Sequence, residues 1–244
     1  MNLIFDIGNS KIKCAVADSN AVLEHFSSPK IKIEDVEKII EKYSIKYCIV
    51  SSVRKKDDTK ELFDYLKSKF KVHFLGPETK LPFENRYLSP ESLGQDRIAV
   101  VSASQINFKN ENRLIIQIGT CITYDFIDCD NTYHGGAISP GLSLRFKSLN
   151  AFTGNLPLVK YQNFNKLLGA NTEESILSGV INGMRAEIDG IIDEYSANYE
   201  NLRIIMTGGG ANSFEKILKN KIFAVSNFVI LGLNYLLDFN EEIQ

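Results

Sequence analysis

Two stretches of the chain share one pattern of apolar and polar positions. Leu3-Ile4-Phe5-Asp6-Ile7-Gly8-Asn9-Ser10 is an apolar run closed by glycine and hydroxyl residues, and a second strand-like run follows at 11–17. Leu114-Ile115-Ile116-Gln117-Ile118-Gly119-Thr120 repeats the device, with another such run at 121–127. Each reads as a β-hairpin with a tight, glycine-bearing turn, and a third strand is expected near 21–26 and 132–138. Helix and strand periodicities alternate after each hairpin. The first half predicts helices at 33–43 and 57–70, strands at 47–51 and 72–75, a turn-rich stretch at 76–90 and a helix at 95–105. The second half predicts helices at 141–148 and 172–195, a strand at 203–206, the turn Thr207-Gly208-Gly209-Gly210, and helices at 213–219 and 231–237. On the long helix, Ile176, Val180, Met184, Ile188, Ile191 and Ile192 form an apolar stripe suited to a core or to a partner. A strand meander followed by βα units, twice over, predicts an α/β fold of two similar tandem domains with mixed sheets. The expected domains are residues 1–110 and 111–244, with a hinge near 107–113 and the last helix free to pack back on the first domain.

Composition narrows the function classes. At 244 residues, 44% hydrophobic and 24% charged, the chain is long enough for one large or two modest cores and is not a disordered composition. A formal charge of −2 supplies no electrostatic footprint for nucleic acid. Lys55-Lys56 and Lys67-Ser68-Lys69 read as solvated helix faces. Cys14, Cys48, Cys121 and Cys129 form no CxxC pair and His25, His73 and His134 are scattered, which argues against zinc and for reduced thiols. The first residues lack a basic leader and no apolar run reaches the ~18–20 residues of a membrane span, so a soluble cytoplasmic protein is expected.

Four motifs carry candidate chemistry. Asp6-Ile7-Gly8-Asn9-Ser10, with Lys13 beyond, places backbone N–H groups and a carboxylate after a buried strand. Such a turn cradles phosphate and such a carboxylate holds magnesium through water, although an ordinary hairpin turn uses the same residues. Its recurrence at Gly119-Thr120 favours a pair of phosphate turns. Thr207-Gly208-Gly209-Gly210-Ala211 allows close backbone approach, and a helix start there would favour an anion; it lacks the dinucleotide-fold spacing. Gly94-Gln95-Asp96-Arg97 sits where a turn-rich stretch meets an apolar helix. Asp96 is there either a cap or a general base, with Arg97 and Tyr87 beside it as a carboxylate-binding pair. The glycine-rich run from His134 to Gly141 suits packing or a ligand.

In this order the motifs resemble those of type III pantothenate kinases, members of the acetate and sugar kinase, heat-shock chaperone and actin superfamily. The segment from Asp6 to Ser10 is similar to that family's first phosphate motif. Tyr87, Pro90 and Leu93-Gly94-Gln95-Asp96-Arg97 resemble its substrate and base segment, and Gly119-Thr120-Cys121-Ile122-Thr123-Tyr124-Asp125 its second phosphate motif. Gly135 to Gly141, Leu168-Gly169 to Thr172, Ser178-Gly179, Gly183 and Thr207 to Gly210 match further family segments. The resemblance implies two actin-like (ribonuclease H-like) domains with mixed five-stranded sheets and an interdomain ATP cleft, and a homodimer that completes the pantothenate pocket. It implies ATP-dependent phosphorylation of pantothenate to 4'-phosphopantothenate, the first step of coenzyme A biosynthesis. Asp96 would be the catalytic base. Asp6, Gly8, Asn9, Ser10, Lys13, Gly119, Thr120, Thr123, Gly208 and Gly209 would hold ATP. Tyr87, Gly94, Asp96, Arg97 and Thr172 would hold pantothenate, and Asp6 would position Mg2+. One position departs: Gln117 stands where the family usually has an Asp associated with a monovalent cation. An amide keeps an oxygen acceptor and loses the charge, which puts K+ or NH4+ binding there in question. The alternatives are a kinase for another small hydroxy acid and a catalytically weak regulatory protein of the same fold.

Overall fold

The computed structural model describes residues 1–19, 21–54 and 59–242. The pair Lys55-Lys56 and the expected start of a helix at Asp57 lie outside the described residues. The chain forms two compact units. The first comprises Met1–Lys109, Asn131–Tyr133 and Asn227–Gln244, and the second Asn110–Asp130 and His134–Ser226.

In the first unit, β1 (Asn2–Ile7), β2 (Ile12–Asp18), β3 (Ala21–Ser28), β4 (Tyr47–Ser52) and β5 (Val72–Phe74) form a sheet in the order β3-β2-β1-β4-β5. β1 pairs antiparallel with β2 and parallel with β4, so the sheet is mixed. Every residue of β1 is buried, as a near-continuous apolar run in a central strand requires. β3 alternates exposed and half-buried positions, the pattern of an edge strand. α1 (Ile33–Lys42) and α2 (Lys60–Lys69) contribute Val36, Ile39, Leu62 and Leu66 to a core with Leu3, Phe5 and Val50.

α3 (Gln95–Phe108) and α7 (Phe228–Glu242) pack against each other, and α7 also lies on β1 and β4. α3 is rich in small residues, and its buried Ser102 and Ser104 hydroxyls bond back to the Ile98 and Val101 carbonyls. Small residues let the helices touch backbone to backbone. A Cβ added at Gly232 would fall 1.8 Å from the Ala99 carbonyl oxygen. Polar pins hold the rest of α7: Asn2 donates to Asn234 at 2.9 Å and to Asp238 at 2.7 Å, and Asn240 exchanges two hydrogen bonds with the Lys80 backbone.

In the second unit, β7 (Arg113–Ile118), β8 (Cys121–Ile127), β9 (Thr132–Pro140), β10 (Arg203–Thr207) and β11 (Phe223–Ala224) run in the order β11-β10-β7-β8-β9. A sixth strand, β6 (Glu84–Asn85), joins the edge by pairing with Thr132 and Tyr133, which cluster with the first unit. Five strands were expected here. The two-residue β6 carries no periodicity and lies in a stretch that reads as turns.

α4 (Leu142–Ala151) and α5 (Thr172–Asn198) cover this sheet. Met184, Ile188 and Ile192 of α5 pack with Ile116, Tyr124 and Met206, while Ile176 and Val180 pack with Phe146 and Val159. The apolar stripe of α5 is therefore core, not a face left for a partner. α6 (Ala211–Phe214) is a single turn where a longer helix was expected at 213–219, and α7 exceeds the expected 231–237 at both ends.

The Gly232–Ala99 approach yields a stability prediction. Gly232→Ala is expected to destabilise the chain by about 2 kcal/mol or more, because the blocking atom is backbone and must move with its helix. The thermal midpoint should fall by several degrees, whereas Gly190→Ala, with open space at its Cβ position, should not lower it.

Candidate active site

The chemistry of the first unit collects where β1 and β4 end and α3 begins. The β1–β2 register sets Asp6 directly across from Lys13, and Lys13 Nζ lies 3.0 Å from Asp6 Oδ2. Two residues on, Gly8 N–H donates to the Lys11 carbonyl at 3.0 Å and closes the turn, leaving Asn9 and Ser10 exposed. This turn is gripped by Arg54, two residues beyond the end of β4. Arg54 Nε donates to the Gly8 carbonyl at 2.8 Å, and its terminal nitrogens approach the Asn9 carbonyl (3.5 Å) and the Pro29 carbonyl (3.3 Å).

α3 begins at the same edge. Gln95 accepts from Ser52 N–H at 2.8 Å and donates to the Leu75 carbonyl at 2.7 Å, which fixes the helix start to the ends of β4 and β5. Asp96 is half-buried, and its Oδ1 accepts the Arg97 N–H at 3.0 Å. Gly94, not Asp96, is the residue preceding the helix, and a Cβ there would crowd Asp96 Oδ1 at 2.8 Å. Burial pushes the Asp96 carboxyl above its ordinary value, and the nearby negative charge of Asp6 pushes it further. The first-turn N–H groups and Arg97 oppose this without cancelling it. Arg97 is only 4% exposed, and its guanidinium carbon lies 5.5 Å from the centre of the Tyr87 ring. Tyr87 in turn leans on Tyr133.

The second unit gathers its glycine motifs around one turn. Gly119 N–H donates to the Cys121 carbonyl at 2.9 Å, and Gly119 and Thr120 are exposed. Gly141 N–H donates to the Thr120 carbonyl, and a Cβ on Gly141 would lie 2.3 Å from the Gly119 oxygen. From the other side Gly208, with φ +97°, brings its backbone so close that a Cβ would fall 2.3 Å from the Ile118 oxygen, while Gly209 faces open space. Positive φ and close approach both require glycine at 208. The expected anion-favouring helix start beyond Gly210 is not there, because one turn of helix carries little dipole.

Behind Gly141, Glu187 of α5 accepts from Tyr124 Oη at 2.9 Å and binds Ser139 and Arg145, while Arg145 Nε donates to the Pro140 carbonyl at 2.7 Å. Burial alone would raise the Glu187 carboxyl, but its bonds to Arg145, Ser139 and Tyr124 outweigh that and hold it below its ordinary value. Gln117 is half-buried and stands in register between Thr123 on β8 and Thr207 on β10. The Thr123 hydroxyl is buried and meets no hydrogen-bond partner among the described residues.

Sequence reasoning thus placed Asp6, Gly8, Asn9, Ser10, Lys13, Tyr87, Gly94, Asp96 and Arg97 on one unit, and Gly119, Thr120, Thr123, Gln117, Gly208 and Gly209 on the other. Thr172 belongs to the second unit, exposed at the first position of α5, whose cap is Asn171 accepting from Glu174 N–H at 2.9 Å. The reading of the motifs gave no role to Arg54, Gln95 or Glu187. Gln95 could have been noticed as a side chain inside a polar helix-start motif; Arg54 and Glu187 carry no local signal. Cys14 and Cys48 are buried, and burial pushes both thiols up, Cys48 to about 12, so neither is a nucleophile. Among the described residues no cluster of three or more His, Cys, Asp or Glu could hold a metal on its own. Asp6 matches the one or two carboxylates that a nucleotide-borne magnesium takes from a protein.

A profile of type III pantothenate kinases matches residues 2–194. The chain is 46% identical to a type III pantothenate kinase of Christiangramia forsetii over 99% of both chains, and 44% identical to one of Flavobacterium johnsoniae over 96% of both. Among solved structures, a candidate Baf family transcriptional activator from Campylobacter jejuni matches with TM-score 0.61 at 19% identity, covering 98% of this chain and 99% of its own. A candidate N-acetylmannosamine kinase from Listeria monocytogenes matches with TM-score 0.54 at 14% identity over 98% and 99%. At such identities the structural matches speak for the fold, an actin-like pair of α/β units. Sequence likeness over the full length decides the family: the chain belongs to the type III pantothenate kinases.

Proposed function

We propose that the chain transfers the γ-phosphoryl group of ATP to the primary hydroxyl of pantothenate, giving 4'-phosphopantothenate for coenzyme A synthesis. The observation that carries this reading is Asp96: a desolvated carboxylate with a raised pKa, adjoining a buried arginine stacked on tyrosine, in the unit that holds the Asp6–Ser10 turn. Asp96 orients the pantothenate hydroxyl and accepts its proton, and its raised pKa makes it a better base than an ordinary aspartate. Arg97, buried and pre-oriented on Tyr87, suits the substrate carboxylate, with Gly94 keeping the space around Asp96 open. Gly8, Asn9, Ser10 and Lys13 are the ATP-binding groups of the first unit, and Gly119, Thr120, Thr123, Gly208 and Gly209 those of the second. Asp6 would position Mg2+ arriving with ATP, and the ion, when bound, would supply positive charge to offset that of the transferring group.

Thr172 reaches pantothenate in a homodimer. The 152–171 segment before α5 supports this assembly, because it exposes Phe152 (87%) and Leu168 (82%), apolar surface that a second copy would cover. No helix among the described residues is long and apolar enough to cross a membrane. The central experiment is incubation of the purified chain with ATP, Mg2+ and pantothenate, with detection of phosphopantothenate by mass spectrometry. Other hydroxy acids serve as competitors, and product absent with pantothenate but present with one of them would reassign the substrate.

Three predictions follow from this chemistry. Asp96→Asn should lower kcat by at least ~100-fold with little change in either KM, whereas Arg97→Ala should chiefly raise the pantothenate KM. Steady-state kinetics with each substrate varied checks this; near-native turnover of Asp96→Asn would make Asp96 structural.

The same substitution should raise thermal stability at neutral pH. The folded chain holds the Asp96 proton more tightly than the unfolded chain does. The group therefore favours folding below the ordinary value of 3.8, and that contribution is lost as pH rises through the folded value. Asp96→Asn removes a desolvated charge, so its midpoint should exceed that of the parent near pH 7 and converge with it toward pH 3 in calorimetric scans.

At Gln117, a neutral amide attracts a cation less than a carboxylate does. Potassium and ammonium should stimulate the native chain weakly, and Gln117→Asp more strongly, in assays against an organic-cation buffer. Strong potassium dependence equal in both proteins would remove the electrostatic role of this position.

A further inference from the structure

The first phosphate turn does not hold itself. Gly8 N–H closes it on the Lys11 carbonyl, while the Gly8 and Asn9 carbonyls are met from outside the turn by Arg54. β4 runs parallel to β1 with Ile7 level with Ser52, and Val53 N–H extends the ladder to the Ile7 carbonyl at 3.1 Å. That register brings Arg54 level with the turn, where its guanidinium takes up the Gly8 carbonyl at 2.8 Å and the Asn9 carbonyl at 3.5 Å. A third nitrogen reaches Pro29, beyond β3, so one planar group spans the turn and the neighbouring strand end.

A trans peptide unit sets its C=O and N–H on opposite sides. Fixing the Gly8 carbonyl on Arg54 therefore turns the Asn9 N–H the other way, and fixing the Asn9 carbonyl does the same for the Ser10 N–H. Gly8 N–H is already used within the turn, so these two are backbone donors that the turn can offer an anion. Donors held in place beforehand cost less to order when the anion arrives.

We propose that Arg54 is a positioning residue for nucleotide binding: its guanidinium holds the Gly8 and Asn9 carbonyls so that the Asn9 and Ser10 N–H groups are presented to the phosphates of ATP. Arg54 acts through the backbone and contacts no reacting atom. The proposal rests on the kinase reading only in naming the anion. The fork matters as well as the charge, because a lysine ammonium, a compact point donor, does not match two carbonyls in a fixed plane.

The test is calorimetric titration of the native chain, Arg54→Ala and Arg54→Lys with the magnesium complex of a non-hydrolysable imido analogue of ATP, alongside kinetics and thermal midpoints. Arg54→Ala is expected to weaken analogue binding roughly tenfold, the scale of one charge-assisted hydrogen bond, with the pantothenate KM almost unchanged. Arg54→Lys should lose a substantial part of that affinity, and millimolar ethylguanidinium should restore part of it to Arg54→Ala. Native affinity in Arg54→Ala, or full affinity in Arg54→Lys, would overturn the proposal. So would an equal loss toward both substrates with a lowered midpoint, which would mark Arg54 as a structural staple. Should Arg54→Ala fail to fold, Arg54→Lys carries the comparison. A native chain that binds the analogue but makes no phosphopantothenate refutes the substrate reading and leaves the Arg54 result standing. A native chain that binds no analogue overturns both.

Discussion

Two aspartates on one unit, each drawn partly out of water, set the terms for the first half of the chain. A carboxylate loses hydration when it enters a protein edge, and a second one nearby adds repulsion. Asp6 sits near the end of a wholly buried strand and is offset by Lys13 across the hairpin. At Asp96, first-turn N–H groups and Arg97 stand against burial and the charge of Asp6, and the carboxyl stays raised. The scaffold holds this unfavourable arrangement by fixing both groups to rigid elements. β1 lies at the middle of the sheet, and Gln95 ties the start of α3 to the ends of β4 and β5. The close seating of α7 on α3 through Gly232 secures the helix from behind.

The second unit works with backbone where the first works with charge. Around Gly119 and Thr120 three chain segments meet at distances no side chain would permit: Gly141 from the start of α4, and Gly208 and Gly210 from the turn after β10. Glu187 ties Tyr124 of β8 to Ser139 and Arg145 and so fixes the approach of residues 139–141. Beneath the turn, the row Thr123, Gln117, Thr207 is neutral and rich in oxygen.

What was legible in the sequence follows the same physics. Strands buried on both faces must be apolar runs, so β1, β4, β7 and β10 stood out, and the turns between hairpin strands announced themselves through Gly8 and Gly119. The motif residues on each unit were found because a local run of polar side chains after an apolar strand is conspicuous. Two-residue strands such as β6 and β11 have no period to detect. α6 ended after one turn where a longer helix was expected. The stripe on α5 could not say whether its apolar residues met a partner or a sheet; the packing of Met184, Ile188 and Ile192 against Ile116 and Met206 answers for the sheet. Arg54 and Glu187 escaped because their roles arise from register and from contacts more than forty residues away, which no window of sequence contains.

The alternative of a protein that keeps the fold and has given up the reaction can be weighed against these costs. A structural match with a candidate transcriptional activator reaches the fold alone at 19% identity. Loss of catalysis removes any benefit from a desolvated aspartate beside another aspartate, and replacing Asp96 by a neutral residue would then stabilise the chain at no functional expense. This chain carries Asp96 with its raised carboxyl, leaves room for it with Gly94, and seats a buried Arg97 on Tyr87 beside it. Phosphoryl transfer needs no activated nucleophile from the protein, only placement and compensation of charge. In the proposed reading the raised carboxyl and the guanidinium set on Tyr87 would supply that placement. The features hardest to explain as structure are thus the ones a kinase requires.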